Sequence, residues 1–398
     1  MTGTTARTGM AMTLVAAAFL VAMLGTTMPT PIYPLYEERY GFGGLVVTVV
    51  FATYAVGVIA ALLLLGGLSD RIGRKPVLWF GLAMAVLSAL AFLVPSFGML
   101  FVGRVLSGLS AGVFTGTATA ALLDLAGPEE KGRAGLVAAA VNMLGLGLGP
   151  VVAGLLVEFA PAPTVLPYVV HIVLVVLVGL GLLAVPEQVE RQTFRIEPLR
   201  LGGLPEQVRG TFVRAAIPGF AGFAVLGMFT AVSPAVMTQV LGRQSHLLTG
   251  TTVFLVFLGS ALGQLGTAVL SERTTLPLGC ALLVVGVLMV GGGVLAVSYA
   301  LFAGGAVVAG LGQGMSFRTG LTAVGSEAPA QVRGRVTATF FLVLYVGISL
   351  PVIGIGATAQ AFGLVPAATV FAAVVAVVAL AAMLTILRAQ RRAGAPAN

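Results

Sequence analysis

Leu68-Ser69-Asp70-Arg71 recurs, with its acid and base in the same order, as Leu270-Ser271-Glu272-Arg273, an offset of 202 positions. The same offset carries Gly25 onto Gly227, and Gly108, Gly112 and Thr117 onto Gly310, Gly314 and Thr319. It also carries Gly132-Arg133, Gly145 and Gly154 onto Gly334-Arg335, Gly347 and Gly356. Glycine matches arise easily in a chain with 54 glycines, but a tetrapeptide that keeps an acid beside a base does not. The chain therefore reads as a duplication, with halves at 1–185 and 212–398 and a linker at 186–211 where Glu187, Glu190, Glu197 and Glu206 mix with arginines.

Around the repeat the sequence is too apolar for a water-soluble domain. Of 398 residues, 58% are hydrophobic and 9% charged, and mean hydropathy is +1.08, whereas a soluble domain carries about a quarter charged residues. A bilayer core is crossed by about 20 apolar helical residues. About twelve such runs are present, near 11–36, 44–66, 76–95, 97–122, 134–157, 164–185, 212–240, 247–270, 276–297, 299–324, 336–358 and 364–387. The first run exceeds the about 7 to 15 residues of a signal-peptide core and reads as an uncleaved span. The expected fold is an all-α membrane protein with twelve transmembrane helices in two pseudo-symmetric six-helix bundles. An even number of spans per repeat makes the two copies parallel.

The net charge of +8 is explained by topology rather than nucleic acid. With the N-terminus inside, nearly every basic residue lies on the cytoplasmic side; Arg39 and Arg243 lie outside, and Arg104 and Arg318 fall within spans. Both termini are then cytoplasmic. Arginine outnumbers lysine nineteen to two in a chain rich in Ala, Gly and Val, which suggests a GC-rich bacterial genome and hence the plasma membrane.

Several chemistries lack their parts. The single cysteine, Cys280, forms no internal disulfide, and His171 and His246 are far apart, so no metal site is expected. Neither GxxxxGK[ST] nor GxGxxG occurs, so no nucleotide phosphate has a recognisable cradle. No cofactor, and no enzyme, is expected.

The loop Gly66-Gly67-Leu68-Ser69-Asp70-Arg71-Ile72-Gly73-Arg74-Lys75-Pro76-Val77-Leu78 resembles the GxLaDRxGRKxxL motif of the major facilitator superfamily, with Ser69 in place of the usual alanine. The resemblance implies that Asp70 caps a helix of the other half, and that Arg74 pairs with an acid ending the fourth span, here Asp124. Together with Arg71 and Lys75 these charges would form a conformational latch, with Glu272, Arg273 and Glu327 as its second-half counterpart. The plainer reading is that they anchor a loop at the headgroups. Leu24-Gly25 followed by Pro31-Ile32-Tyr33-Pro34 is similar to a first-span pattern of the twelve-span drug:proton antiporters of this superfamily. Gly145, Gly149, Pro150 and Gly154 resemble the fifth-span antiporter motif GxxxGPxxGG, which departs here at Ala153. The same glycines also read simply as helix packing.

Arg104 sits in the fourth span, where a charge costs about 2.5 to 3.5 kcal/mol on insertion scales, so it faces protein or water. Its context Arg104-Val105-Leu106-Ser107-Gly108 resembles the family's RxxQG motif, with Ser107 for glutamine, which implies a role in proton coupling. Alternatively its guanidinium ties down carbonyls of the broken first span. No carboxylate occupies the middle of a span, which leaves Asp124, His171 or a relay through Arg104 to carry a proton; a lone His171 is also read as a neutral helix contact. Arg318 either snorkels to headgroups or meets an anionic group from the cytoplasm. Met23, Tyr33, Met228 and Phe229, with Asn142, Gln264 and Gln313 as polar handles, are candidate substrate-cavity residues beside Arg318. Without a fixed negative charge such a cavity favours neutral or anionic amphipathic compounds. The resemblance implies secondary-active, proton-coupled efflux of a drug or antibiotic by a monomer working by alternating access. Its partners are the small-molecule substrate, protons and the lipid bilayer. Uptake of a sugar, organic acid or other nutrient by symport or facilitation is the alternative.

Overall fold

The computed structural model describes residues 2–189 and 204–393. Helices follow one another along the chain: α1 Thr2–Thr27, α2 Tyr33–Tyr40, α3 Gly44–Leu65, α4 Ser69–Ile72, α5 Arg74–Leu93, α6 Phe97–Leu125, α7 Lys131–Phe159 and α8 Leu166–Leu182. They continue as α9 Glu206–Ala231, α10 Ser233–Ala235, α11 His246–Gly266, α12 Glu272–Leu295, α13 Tyr299–Glu327, α14 Arg333–Phe362 and α15 Leu364–Ala393. Hydrocarbon offers no hydrogen-bond partner to a bare backbone, so an apolar chain that crosses it closes its own i to i−4 bonds. Among the described residues, 11 helical segments are long and apolar enough to cross a membrane, and the 17-residue α8 is a shorter apolar helix. Of the linker expected at 186–211, residues 190–203 lie outside the described residues, and α9 already begins at Glu206.

The first run, expected to end near 36, is longer and broken. Pro29, Pro31 and Pro34 remove backbone donors, so α1 gives way to a 3-10 turn over Thr30–Ile32 before α2 carries the segment to Tyr40. The seventh run breaks in the same manner. Pro234 follows the end of α9, and a π-helical turn, Val236–Val240, completes the run.

The chain forms two compact units. Unit 1 comprises 1–42, 49–200 and 245–254; unit 2 comprises 43–48, 201–244 and 255–398. Each takes in a short segment from the opposite sequence half, 245–254 in unit 1 and 43–48 in unit 2.

Within each unit the same contact is made at the repeat offset. In unit 1, a Cβ on Gly57 would lie 2.1 Å from the carbonyl oxygen of Val105, and one on Gly108 2.1 Å from that of Tyr54. In unit 2, a Cβ on Gly259 would lie 2.4 Å from the oxygen of Val307, and one on Gly310 2.2 Å from that of Val256. Every one of these partners is displaced by 202. The pairs α3 with α6 and α11 with α13 thus cross backbone to backbone, which only glycine permits. Gly154 and Gly356 behave alike: the first abuts His246 and Leu247 in unit 1, the second Leu45 and Thr48 in unit 2. The duplication read from the sequence is therefore repeated at the level of individual contacts.

Substituting Gly108→Val should lower the thermal midpoint of the detergent-purified protein, since overpacking costs about 1 to 3 kcal/mol or more. Gly116→Ala, on the same helix with open space around the new methyl, should leave it unchanged. Equal midpoints for the two variants would contradict the crossing.

Candidate functional site

The loop between α3 and α5 is fixed by charge. Gly73 has φ +103, a conformation that disfavours a side chain, and a Cβ there would lie 2.4 Å from Glu187 Oε2. The close approach lets Glu187 cap α5: the Arg74 amide donates to Oε1 at 2.9 Å and the Lys75 amide to Oε2 at 3.0 Å. Lys75 Nζ in turn donates to the carbonyls of Leu183 and Val185, at 2.8 and 3.1 Å, satisfying the C-terminal end of α8. Leu68 and Ile72 pack on Ala61, Val77 and Val113, and Gly66 lies in the turn that ends α3.

Arg74 is the hub. Its Nε donates to Asp124 Oδ2 at 2.9 Å, and its Nη1 donates to Ser69 Oγ at 2.7 Å and to the Asp70 carboxylate. Asp70 and Asp124 are thereby held on one guanidinium, at the ends of α4 and α6. The side chains are 64% exposed for Asp70, 37% for Asp124 and 13% for Arg74. Ion pairs to carboxylates this exposed contribute about 0 to 1 kcal/mol each, while Arg74 itself is largely covered. Arg71, beside it in the motif, is half-buried.

Arg104 presents the opposite case, being 1% exposed in the interior of unit 1. Its Nη1 donates to the carbonyl of Thr26 at 2.6 Å, and its guanidinium carbon lies 5.1 Å from the ring centre of Phe51 and 5.3 Å from that of Tyr54. No ion pair joins it to any described residue, and its Nε has no hydrogen-bond partner. The carbonyl contact is to the end of α1, immediately before the proline break. Two aromatic faces supply what compensation the charge receives. The Tyr33 hydroxyl is also buried without a partner, whereas Tyr36 and Tyr168 bond to each other at 2.9 Å.

His171 is buried, with Nε2 donating to the carbonyl of Val21 at 3.1 Å and its ring against Gly25, where a Cβ would overlap it at 2.1 Å. The ring thus joins α8 to α1. The fifth-span glycines also pack on α1. A Cβ on Gly145 would meet Leu20 O at 2.6 Å, one on Gly149 would meet Leu24 O at 2.2 Å, and Thr27 Oγ1 donates to Leu146 O at 2.6 Å. Further along α7, Pro150 O lies 2.1 Å from where a Cβ on Gly250 would be, and Gly154 abuts His246. At that end Glu158 caps α11, accepting from Ser245 Oγ at 2.6 Å and from the Leu247 amide at 2.9 Å, and His246 Nδ1 donates to Pro31 O at 2.8 Å.

The second-half counterpart of the Arg74 cluster is not built the same way. Arg273 and Glu327 line one cavity of unit 2 but form no ion pair among the described residues, and the side chain of Glu272 lies outside them. The residues displaced by 202 from Arg74 and Asp124 are Leu276 and Ser326. Of the candidate cavity residues, Met23, Tyr33, Met228, Phe229, Gln264 and Gln313 are fully buried in helix packing. Phe229 meets Phe302 at a tilt of 44°, with ring centres 5.2 Å apart, and Ser260 Oγ donates to Gln313 Oε1 at 2.5 Å. Asn142 is half-buried with an unpartnered Oδ1. Arg318 lines an open cavity of unit 2. Met23, Tyr33 and Asn142 belong to unit 1, the remainder to unit 2.

Glu187 and Glu158 went unassigned in the sequence reading. Each caps a helix far away in sequence, and no local pattern around either residue announces that.

The chain is similar to two sets of curated exporters over part of its length. It is 29% identical over 167 residues, 39% of this chain and 42% of the relative, to "Quinolone resistance protein NorA" of Staphylococcus aureus (strain Mu50 / ATCC 700699). It is 31% identical over 148 residues, 35% of this chain and 37% of the relative, to "Bacillibactin exporter" of Bacillus subtilis (strain 168). The matched region thus spans about two-fifths of the length of these curated relatives. The fold is similar to that of a bacterial homologue of the human lysosomal transporter Spinster, crystallised in an inward-facing and unoccupied conformation. The TM-score is 0.71 at 14% identity, over 96% of this chain and 98% of that one. The family model described as Major Facilitator Superfamily matches residues 15–352. That match runs through both repeats and both units, and the chain belongs to the Major Facilitator Superfamily.

Proposed function

We propose that the protein is a proton-coupled exporter of a small amphipathic compound, neutral or anionic, working as a monomer in the bacterial plasma membrane. In this reading twelve spans form two pseudo-symmetric six-helix bundles, at 1–185 and 212–398, joined by the cytoplasmic linker 186–211, with both termini in the cytoplasm. The bundles alternate access to the substrate, and the Arg74 cluster is the latch that is broken and remade.

The observation that carries the reading is the arrangement of Asp70, Arg74 and Asp124: one largely covered guanidinium bonded to two carboxylates that are exposed enough to part from it. A structural ion pair meant to last would be buried, and breaking one then costs about 3 to 5 kcal/mol. An exposed one serves a switch. Export rather than uptake is supported by the antiporter-type glycines, of which Gly145 and Gly149 pack on α1 and Gly154 on His246, and by the two partial relatives, which are named for drug resistance and export.

Coupling is assigned to Arg104 rather than His171. The His171 ring is committed to Val21 and Gly25, while Arg104 retains an unused donor inside the protein. A buried cation with a single strong acceptor is held at high cost, and a group whose charge or position changes nearby alters that cost directly.

Cells overproducing the chain should accumulate less of a quinolone than control cells, and a protonophore should abolish the difference. Asp70→Asn should lower gradient-driven transport about tenfold, equivalent to ~1.4 kcal/mol, at unchanged protein level. In proteoliposomes, substrate added on one side should drive protons the opposite way; protons moving with the substrate would overturn export in favour of uptake. Arg104→Lys keeps a charge but loses the planar contact with Phe51 and Tyr54. It should retain substrate counterflow while losing accumulation driven by a pH gradient, and equal loss of both would remove Arg104 from coupling.

A further inference from the structure

Unit 2 contains a cavity of ≈ 650 Å³ between the N-terminal turns of α9 and α12 and the C-terminal turns of α11, α13 and α15. That volume lies within the about 300 to 1,000 Å³ typical of small-molecule sites. Three arginines line it, Arg214, Arg273 and Arg318, with Thr319 and Thr322 beside them and Glu327 as the one described acid. Leu270, Leu276 and Ile386 supply an apolar side.

The charges are not balanced from within the described protein. Arg214 Nη2 donates to Thr211 Oγ1 at 2.8 Å. The bond from Gln390 reaches the carbonyl of Arg273 rather than its guanidinium. Half-buried Arg318 has neither a hydrogen bond nor an ion pair among the described residues. Three guanidinium groups around one cavity repel one another, and a low-dielectric surrounding strengthens the repulsion.

Comparison of the two repeats sharpens this. In unit 1 the corresponding region is neutralised internally, since Arg74 holds both Asp70 and Asp124. In unit 2 Leu276 and Ser326 stand at the positions of Arg74 and Asp124, so that the pairing is gone. Two cations have been added where the first repeat has none: Arg214 corresponds to Met12 and Arg318 to Gly116. The second copy, which has Leu276 and Pro277 where the first has Arg74 and Lys75, carries its bases instead at Arg214 and Arg318, around a cavity and without an ion pair among the described residues.

We propose that this cavity binds a phosphate group, carried either by an anionic phospholipid headgroup or by a small soluble phosphate ester. Guanidinium groups present paired donors that match phosphate oxygens, the threonine hydroxyls add single neutral donors, and the apolar side suits the first carbons of a lipid's acyl chains. Basic pockets between membrane helices are a recurrent way of holding such headgroups. The orientation proposed above decides only which leaflet supplies a lipid, not the binding chemistry.

Native mass spectrometry of the purified full chain tests the site, with phosphatidylglycerol against phosphatidylcholine as lipid probes and glycerol 3-phosphate and inorganic phosphate as soluble ones. Phosphatidylglycerol should bind the wild type in preference to phosphatidylcholine, and Arg214→Gln/Arg318→Gln should weaken that binding at least about tenfold. Glu327→Gln, which removes the acid, should strengthen it; because this change has the opposite sign, poor folding of the arginine variant does not mimic it. If glycerol 3-phosphate binds the wild type with the same response to the variants and phosphatidylglycerol does not, the source is soluble. Binding of either probe that ignores all of these substitutions, or no preference for any phosphate-bearing anion over phosphatidylcholine, overturns the proposal. Transport is not the readout, so either outcome leaves the export reading to its own test.

Discussion

Inside a bilayer a polar group finds its partner within the protein or goes without, and the structure is organised around that scarcity. The backbone satisfies it by forming helices. Arg104 satisfies it only in part, through the carbonyl of Thr26 and the faces of Phe51 and Tyr54. Where the first span breaks at Pro29 and Pro31, the carbonyl freed at Thr26 is the one that Arg104 takes. The break and the buried cation therefore depend on each other: the unwound end of α1 offers an acceptor that a continuous helix would have used itself.

Duplication supplied the scaffold and divergence supplied the chemistry. The glycine crossings at Gly57 with Gly108 and at Gly259 with Gly310 are the same contact twice, and neither tolerates a methyl group. The charged ends of the helices diverged instead. The first copy keeps a wet cluster of one arginine and two acids, and the second keeps arginines around a cavity with a single described acid. Substitution at helix ends costs little packing, whereas substitution at the crossings costs the fold, so the repeat is conserved in one place and free in the other.

Much of this was legible in the sequence for a physical reason: spans, the repeat and the Arg74 loop are local or periodic patterns. Apolar length located the helices, and the roles expected of Asp70, Arg74 and Asp124 came from a family resemblance. In the structure Arg74 bonds both acids, including Asp70, which the resemblance sets as the cap of a helix in the other half. The full extent of the broken first span was less legible, since prolines near its end read as a terminus rather than as a turn leading into α2. Glu187 and Glu158 were not legible at all, because a carboxylate that caps a distant helix leaves no mark in its own neighbourhood. The apolar residues nominated as a substrate wall illustrate a further limit. Met228 and Phe229 have the composition of a binding surface and the burial of a core, and composition alone does not separate the two.

The central claim is that the Arg74 cluster governs an exchange between two states of a moving transporter. It is tested most directly by electron–electron distance spectroscopy on spin labels at Gly127 and Ser326, two exposed positions at the ends of α6 and α13, with the buried Cys280 replaced by alanine. The account predicts two distance populations in lipid, with Asp70→Asn shifting their ratio. A single distance, the same in both proteins and at every pH and substrate concentration, would contradict it.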